Sequence, residues 1–206
     1  MYYDSRNNCN AIIETSSNTL IRGCNTSNIP VGVKSIGKDA FEGCSDLTSI
    51  DEWAFKGCSS LTSINIPAGV TSIGYEVFRA CSSLASINIP ESVTNMGNRI
   101  FVDCSMLTDV DIQANVTSIG GATFAECTNL VNVTIPESVT IIENLTFYEC
   151  SSLTSIELPN SLTSIGDGAF SNTPLINNKD NYINGVLYTG KYLIATENNI
   201  ESLIVQ

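Results

Sequence analysis

A mainly β solenoid with short helical or 3₁₀ turns, flanked by β-hairpins, is the fold class that this 206-residue sequence predicts. Three observations predict it. Cysteines stand at 58, 81, 104, 127 and 150, each 23 residues after the last. Phenylalanines stand three residues ahead of them at 55, 78, 101, 124 and 147, with Phe170 keeping step. Apolar columns recur at the same period: Leu61, Leu84, Leu107, Leu130 and Leu153, then Ile64, Ile87, Val110, Val133 and Ile156, then Val70, Val93, Val116, Val139 and Leu162. A 23-residue unit cannot bury an apolar face alone, whereas stacked units bury a continuous one.

The chain divides in order. Residues 1–28 read as a polar, poorly ordered tail followed by a hairpin in which Ala11 to Thr15 and Thr19 to Arg22 flank Ser16-Ser17-Asn18. Residues 29–174 form the solenoid. Its first unit is partial, and its second is short, because Cys44 to Cys58 spans 14 residues, nine fewer than elsewhere. There Leu47-Thr48-Ser49-Ile50 must serve as one strand where other units have two, so a break is expected in 44–58, with Trp53 filling the gap. In a regular unit, Ser63-Ile64-Asn65-Ile66 alternates polar and apolar as a half-buried strand does. Pro67 and Gly69 end it. Val70-Thr71-Ser72-Ile73 makes a second, shorter strand closed by Gly74. Phe78 and Cys81, three apart, then share one face of a helical or 3₁₀ turn. Thr173-Pro174 replaces the cysteine column and ends the array. Residues 175–206 hold a polar linker (177–184), a second hairpin around Gly190, and the start of a further strand.

The pattern LxxIxIPxxVxxIGxxxFxxC, over roughly 29 to 170, resembles the BspA-like leucine-rich repeats of bacterial surface proteins. It departs from the general consensus at the asparagine column, which reads Gly69, Ser92, Asn115, Ser138 and Ser161. Serines are expected to supply a weaker hydrogen-bonding substitute. The resemblance implies a right-handed leucine-rich-repeat solenoid and hairpins that interrupt or cap the array. It also implies adhesion to host matrix or neighbouring-cell proteins from a cell-surface or secreted location. A rigid spacer without a ligand and a cytoplasmic scaffold are the alternatives. The opening MYYDSRNNCN lacks the basic and apolar regions of a secretory signal, so a surface protein would carry that signal elsewhere.

Composition narrows the function classes. A net charge of −12 with nine basic residues argues against nucleic acid. No histidine is present, which removes His-based triads and His-metal sites. No phosphate-binding or nucleophile-elbow motif occurs, and no apolar run reaches the ~18 residues of a membrane span. The reading is therefore a non-catalytic, monomeric module with no cofactor and no metal. The column cysteines, Cys44 included, are expected to be reduced, stacked and buried. A bridge between Cys9 and Cys24, which lie outside the column, stays open.

Binding is expected on the outward side chains of the first strand. Alternation pairs Ser49 with Asp51, Ser63 with Asn65, Ser86 with Asn88, Asp109 with Asp111, Asn132 with Thr134, and Ser155 with Glu157. The candidate protein-binding face is Asp51, Ser63, Asn65, Ser86, Asn88, Asp109, Asp111, Asn132, Thr134 and Glu157. Asp109, Asp111 and Asp103 bring acidity to its middle, which suits a basic protein partner. A Ca²⁺ site is disfavoured, because no cage of the ~6–8 oxygens that ion takes is evident. Tyr182, Tyr188 and Tyr192 gather near the second hairpin as its core.

Overall fold

Period and alternation are converted into parallel ladders in the computed structural model. It describes residues 48–178 continuously, with Ser16 and the strand residues 3–4, 12–14, 19–22, 35–36, 182–183, 186–189, 192–196 and 204–205. The N-terminal sheet runs β1 (Tyr3–Asp4), β2 (Ile12–Glu14), β3 (Thr19–Arg22), β4 (Ser35–Ile36) in that order. The expected hairpin is β2–β3, antiparallel, with Glu14 opposite Thr19, Ile13 opposite Leu20, and a bulge between Ile12 and Ile13. Tyr3–Asp4, expected in an unordered tail, instead adds a third strand beside β2. Strand β4 pairs in parallel with β3.

The second-strand column forms a parallel ladder of two-residue strands. Strands β5 (Ser49–Ile50), β6 (Ser72–Ile73) and, after the longer strand β7 (Ser86–Ile89), β8 (Asn95–Met96) make one part. Ser49 stands opposite Ser72 and Ser72 opposite Asn95. The strand Ser49–Ile50 of the short unit therefore belongs to the second-strand column. The first-strand column gives a ladder of β7, β9 (Asp109–Ile112) and β11 (Asn132–Thr134). Residues 63–66 and 155–158 were expected to join it. They keep the alternation of exposure but are not among the strands of that ladder. Strands β10 (Ser118–Ile119), β12 (Ile141–Ile142) and β13 (Ser164–Ile165) complete the second ladder.

The third side is not helical. Each passage is a series of turns with two left-handed residues: Trp53, Glu76, Arg99, Ala122, Leu145 and Gly168 in one column, and Gly57, Ala80, Asp103, Glu126, Glu149 and Asn172 in the other. The reason lies in the hydrogen bonds. Alternate N–H groups donate to the next coil, as in Trp53 to Tyr75 O, Phe55 to Val77 O and Gly57 to Arg79 O, at 2.8–3.0 Å. The N–H groups between them donate within the coil, as in Lys56 to Trp53 O and Cys58 to Phe55 O. A continuous helix would spend every donor locally. Left-handed conformation costs about 1–2 kcal/mol per non-glycine residue, and the inter-coil bonds oppose that cost.

Phenylalanine and cysteine form the inner wall of this side. The six rings from Phe55 to Phe170 stack nearly parallel, with centroids 5.1–5.5 Å apart. Cys58, Cys81, Cys104, Cys127 and Cys150 are free and buried, as expected. Each of the last four thiols donates 3.1 Å to a phenylalanine carbonyl of the preceding coil, Cys81 to Phe55 and Cys104 to Phe78 among them. Burial pushes the Cys58 thiol up to about 11 and those of Cys104 and Cys150 up to about 12.

One residue interrupts the repeat. In four coils a proline carbonyl accepts the N–H three residues on, as in Val70 to Pro67 and Val93 to Pro90. The fifth coil has Gln113. Its N–H, which proline lacks, donates 2.9 Å to Ile89 O, so the first ladder gains a bond and the turn opens. Ala114 is then drawn into the core. Asn115 N–H reaches Val93 O, the acceptor position that serine hydroxyls use elsewhere, Ser92 to Val70 O at 2.7 Å and Ser161 to Val139 O at 2.6 Å. Those two bonds are the expected serine substitute, but Ser138 Oγ is buried without a partner. The second ladder is accordingly split between β8 and β10.

Thr173 ends the cysteine column, with its hydroxyl donating 2.7 Å to Phe170 O. The short helix α1 (Pro174–Asn177) follows and buries Leu175 and Ile176. A four-stranded antiparallel sheet comes next: β14 (Tyr182–Ile183), β15 (Val186–Thr189), β16 (Tyr192–Thr196), β17 (Ile204–Val205). The expected hairpin is β15–β16. The end of the presumed linker is strand β14, and the further strand β17 pairs back on β16. Cys9, Cys24, Phe41, Cys44, the link at 41–47 and the tyrosine side chains of the second hairpin lie outside the described residues.

Candidate functional site

The ladder register settles which outward residues share a face. Ser86, Asp109 and Asn132 stand in one row, and Asn88, Asp111 and Thr134 in the next. With Ser63 they line a shallow, open concavity of about 470 Å³ whose floor is Ile64, Ile87 and Val110. Seven of the expected residues are thus brought together: Ser63, Ser86, Asn88, Asp109, Asp111, Asn132 and Thr134. Asn65 and Glu157 are exposed on the end coils, outside the concavity.

Three expectations are corrected. Asp51 follows β5, which belongs to the second ladder, so Asp51 is not on this face; it accepts from Ser49 Oγ at 3.3 Å instead. The ambiguity arises because Thr-Ser-Ile occurs twice in a unit, at 62–64 and 71–73. Asp103 lies on the turn side, 3.9 Å from Arg79 Nε and beside Glu126. The turn through Cys104 and Leu107 carries the chain from one side to the other. Trp53 does not fill a gap. It is 53% exposed, with the Tyr75 ring nearly perpendicular to it at 6.4 Å between centroids and Lys56 Nζ 5.9 Å over its face.

The two central carboxylates are held by neutral donors. Thr108 Oγ1 donates 2.6 Å to Asp109 Oδ2, and Asn132 Nδ2 donates 2.7 Å to Oδ1. These bonds, the threonine's first, lower the Asp109 carboxyl below its ordinary range. Gln113 Nε2 donates 2.8 Å to Asp111 Oδ2. Thr108 and Gln113 are the residues that sequence reasoning missed, although Gln113 was visible as the one departure from the proline column.

Among the described residues no cation lines this concavity. Between 48 and 178 the cations are Lys56, Arg79 and Arg99, against thirteen carboxylates. All three reach one residue on the turn side: Glu76 accepts from Lys56 Nζ at 2.7 Å and Arg79 Nη1 at 2.8 Å, and Arg99 Nε lies 3.0 Å away. Burial alone would raise the Glu76 carboxyl. Hydrogen bonds from Lys56, Arg79 and Tyr75 and the Arg79 charge outweigh it and hold it at about 2. Among the described residues no group of three or more Cys, Asp or Glu is placed to hold a metal ion. No helix of the described residues is long and apolar enough to cross a membrane.

Comparison with known proteins places this geometry. The family model of the BspA type leucine-rich repeat region matches in six copies, over residues 12–130, 48–177 and 117–206. A leucine-rich repeat protein from Bacteroides ovatus is similar at 27% identity and TM-score 0.60, over 84% of this chain and 55% of that one. A Treponema pallidum leucine-rich repeat protein is similar at 25% identity and TM-score 0.61, over 83% of this chain and 74% of that one. A leucine-rich cell surface protein from Faecalibacterium prausnitzii is similar at 29% identity and TM-score 0.52, over 85% of this chain and 41% of that one. The chain thus spans about half the length of the Bacteroides ovatus protein. No curated protein matches it.

Proposed function

The chain belongs to the BspA-type leucine-rich repeat family, and from that premise we propose that it is a non-catalytic adhesion module that docks a basic protein surface on the β7–β9–β11 face. The cell surface or the extracellular space is its place of action. The Faecalibacterium prausnitzii protein that it resembles is called a cell surface protein, which supports that location. One observation carries the reading: two aligned rows of polar side chains line an open concavity whose central carboxylates, Asp109 and Asp111, have no cation as partner among the described residues. Such a face keeps its charge available, and its bound geometry is prepared in advance by Thr108, Asn132 and Gln113. Preorganisation of this kind reduces the ordering cost of binding, and an uncompensated charge steers a complementary partner.

The test is a binding screen of the immobilised protein against host matrix proteins and cell-surface extracts, with an Asp109→Ala/Asp111→Ala variant beside it. Binding that weakens in the variant and with added salt supports docking on this face. Binding that the variant leaves unchanged moves the interaction elsewhere, and no binding by folded protein favours a rigid spacer. The spacer reading rests on the unbroken phenylalanine stack, which gives the array an inner axis independent of any ligand.

A further inference from the structure

Two outward departures from the repeat lie beside the acidic face and carry no charge. Where other coils hold Ser60, Ser83, Asn129 and Ser152, one coil holds Met106. Where other coils hold Thr62, Ala85, Thr108 and Thr154, the next one holds Val131. Both are exposed, Met106 at 53% and Val131 at 45%. Exposed apolar residues scattered singly are ordinary on a protein surface. These two stand on neighbouring coils, in the same stretch of chain as Asp109 and Asp111.

The cross-coil bonds fix their place. The N–H groups of Val131 and Asn132 both donate to Thr108 O, at 3.0 and 3.1 Å, so Val131 stands across from the threonine whose hydroxyl holds Asp109. Asn132, next in the chain, donates its side-chain amide to the other Asp109 oxygen. Met106 is two residues before Thr108, and its sulfur accepts from Asn129 Nδ2 of the following coil at 3.8 Å. Leu107 and Leu130 point into the core between them.

The fold does not ask for either residue. Thr108 donates its hydroxyl 3.1 Å to Ala85 O, the equivalent acceptor one coil back. A threonine at 131 would find Thr108 O in the same relation. Valine forgoes that bond and leaves apolar surface in water. At 106 a serine serves three other coils, and methionine adds only exposed surface there.

We infer that Met106 and Val131 extend the docking face, and that its partner is a protein segment carrying an aliphatic side chain next to a lysine or arginine. The cation meets Asp109 and Asp111 while the aliphatic group covers Val131 and Met106. This rests on the reading of the β7–β9–β11 face as a docking surface for a basic protein, and it adds the apolar half of the contact. Charge steers the encounter, and the apolar pair contributes the attraction of surface removed from water. Methionine suits such a margin because its unbranched side chain adapts to the shape laid against it.

Two hexapeptides test it, one alternating lysine with leucine and the other alternating lysine with serine. Each is titrated by calorimetry into the full chain at about 0.05 M salt. Met106→Ser/Val131→Thr gives both positions the residues that other coils use, and thermal unfolding checks that the array is intact. The expected result is that the leucine peptide binds about tenfold tighter than the serine peptide and that the double variant removes the difference. Asp109→Ala/Asp111→Ala weakens both peptides. Equal binding of the two peptides, or a difference that survives in the folded double variant, overturns the apolar extension and leaves the acidic face standing. Binding of both peptides that ignores the aspartate variant overturns the extension together with the face it extends. Absence of binding up to about 10 mM peptide overturns the extension, and the screen against matrix proteins then decides the face itself.

Discussion

Replacing Gln113 by proline restores the turn found in the other four coils, and the structure gives both the sign and the size of the effect. The variant loses the Gln113 N–H bond to Ile89 O, the Asn115 N–H bond to Val93 O, the side-chain bond to Asp111, and the burial of the Ala114 methyl. It gains the turn bond that Val70, Val93, Val139 and Leu162 make at 3.0–3.2 Å. It also gains the cross-coil bonds that Thr94 and Gly97 make and that Thr117 and Gly120 lack, and an acceptor for Ser138 Oγ. At about 0.5–1.5 kcal/mol net per hydrogen bond, four bonds gained against three lost favour the variant by roughly 1 kcal/mol. Proline's restriction of the unfolded chain adds about 0.4–1 kcal/mol. The exposed methyl removes about 0.8 kcal/mol. The balance is about 1 kcal/mol of added stability, which for a chain of this length raises Tm by roughly 2–4 °C. Thermal and urea unfolding followed by far-UV circular dichroism measure it. An unchanged or lowered Tm would refute the assignment of the split ladder to Gln113. Binding should move the opposite way, because Asp111 loses the donor that holds it.

Three further outcomes are expected. Phe101→Ala removes the middle ring of the stack and costs about 3–5 kcal/mol; a loss below ~1 kcal/mol by urea unfolding would mean that the stack contributes little beyond its neighbours. Glu76→Gln leaves Lys56, Arg79 and Arg99 without their shared carboxylate and destabilises the fold at pH 7 by about 1–2 kcal/mol, the partial exposure of the cations limiting the figure. Because the folded Glu76 carboxyl lies at about 2, below its unfolded value, its stabilisation is present above the unfolded pKa and is lost as pH falls through the folded one. The gap between wild type and variant should therefore close between pH ~5 and ~2, and a gap independent of pH in unfolding scans would contradict the charge argument. The column thiols, buried and raised in pKa, should react with a thiol reagent at pH 8 only as fast as the array opens; rapid labelling of Cys104 in the native protein, located by mass spectrometry, would contradict their burial.

The sequence made the inner columns legible because burial constrains residue type. A leucine, isoleucine or cysteine at a fixed spacing has one economical place, inside. The turn side was not legible, because its conformation is imposed by bonds between coils and not by residue preference. Trp53, Glu76, Arg99, Ala122 and Leu145 occupy one left-handed column without any glycine signal before Gly168. The same cause misplaced Trp53, whose size suggested a filler of space while its column points to water. Asp103 was grouped with Asp109 by nearness in the chain, yet the corner at Cys104 separates them in space. On the strand face, alternation correctly chose the outward residues, but only the ladder register could show that Asp51 belongs to another side. Thr108 and Gln113, which orient the carboxylates, carried no signal of charge. The proline column made Gln113 conspicuous as a departure without saying what that departure does.

The departures from the repeat argue for interaction over spacing. A spacer needs only the columns: phenylalanine, cysteine and leucine stacked coil on coil supply the core, and identical polar residues outside would serve it equally well. Here the outward positions diverge where the inward ones do not. Ser86 and Asn88 become Asp109 and Asp111 one coil later, with Thr108, Asn132 and Gln113 arranged to hold them. Gln113 accepts a split ladder and a buried serine without a partner to do so, a loss of about 1–3 kcal/mol for the unpaired hydroxyl alone. Between 48 and 178 the cations lie on the turn side around Glu76 instead. Carboxylates left without them retain their field toward solvent, which contributes nothing to the stability of a rod and suits a surface that meets a complementary partner.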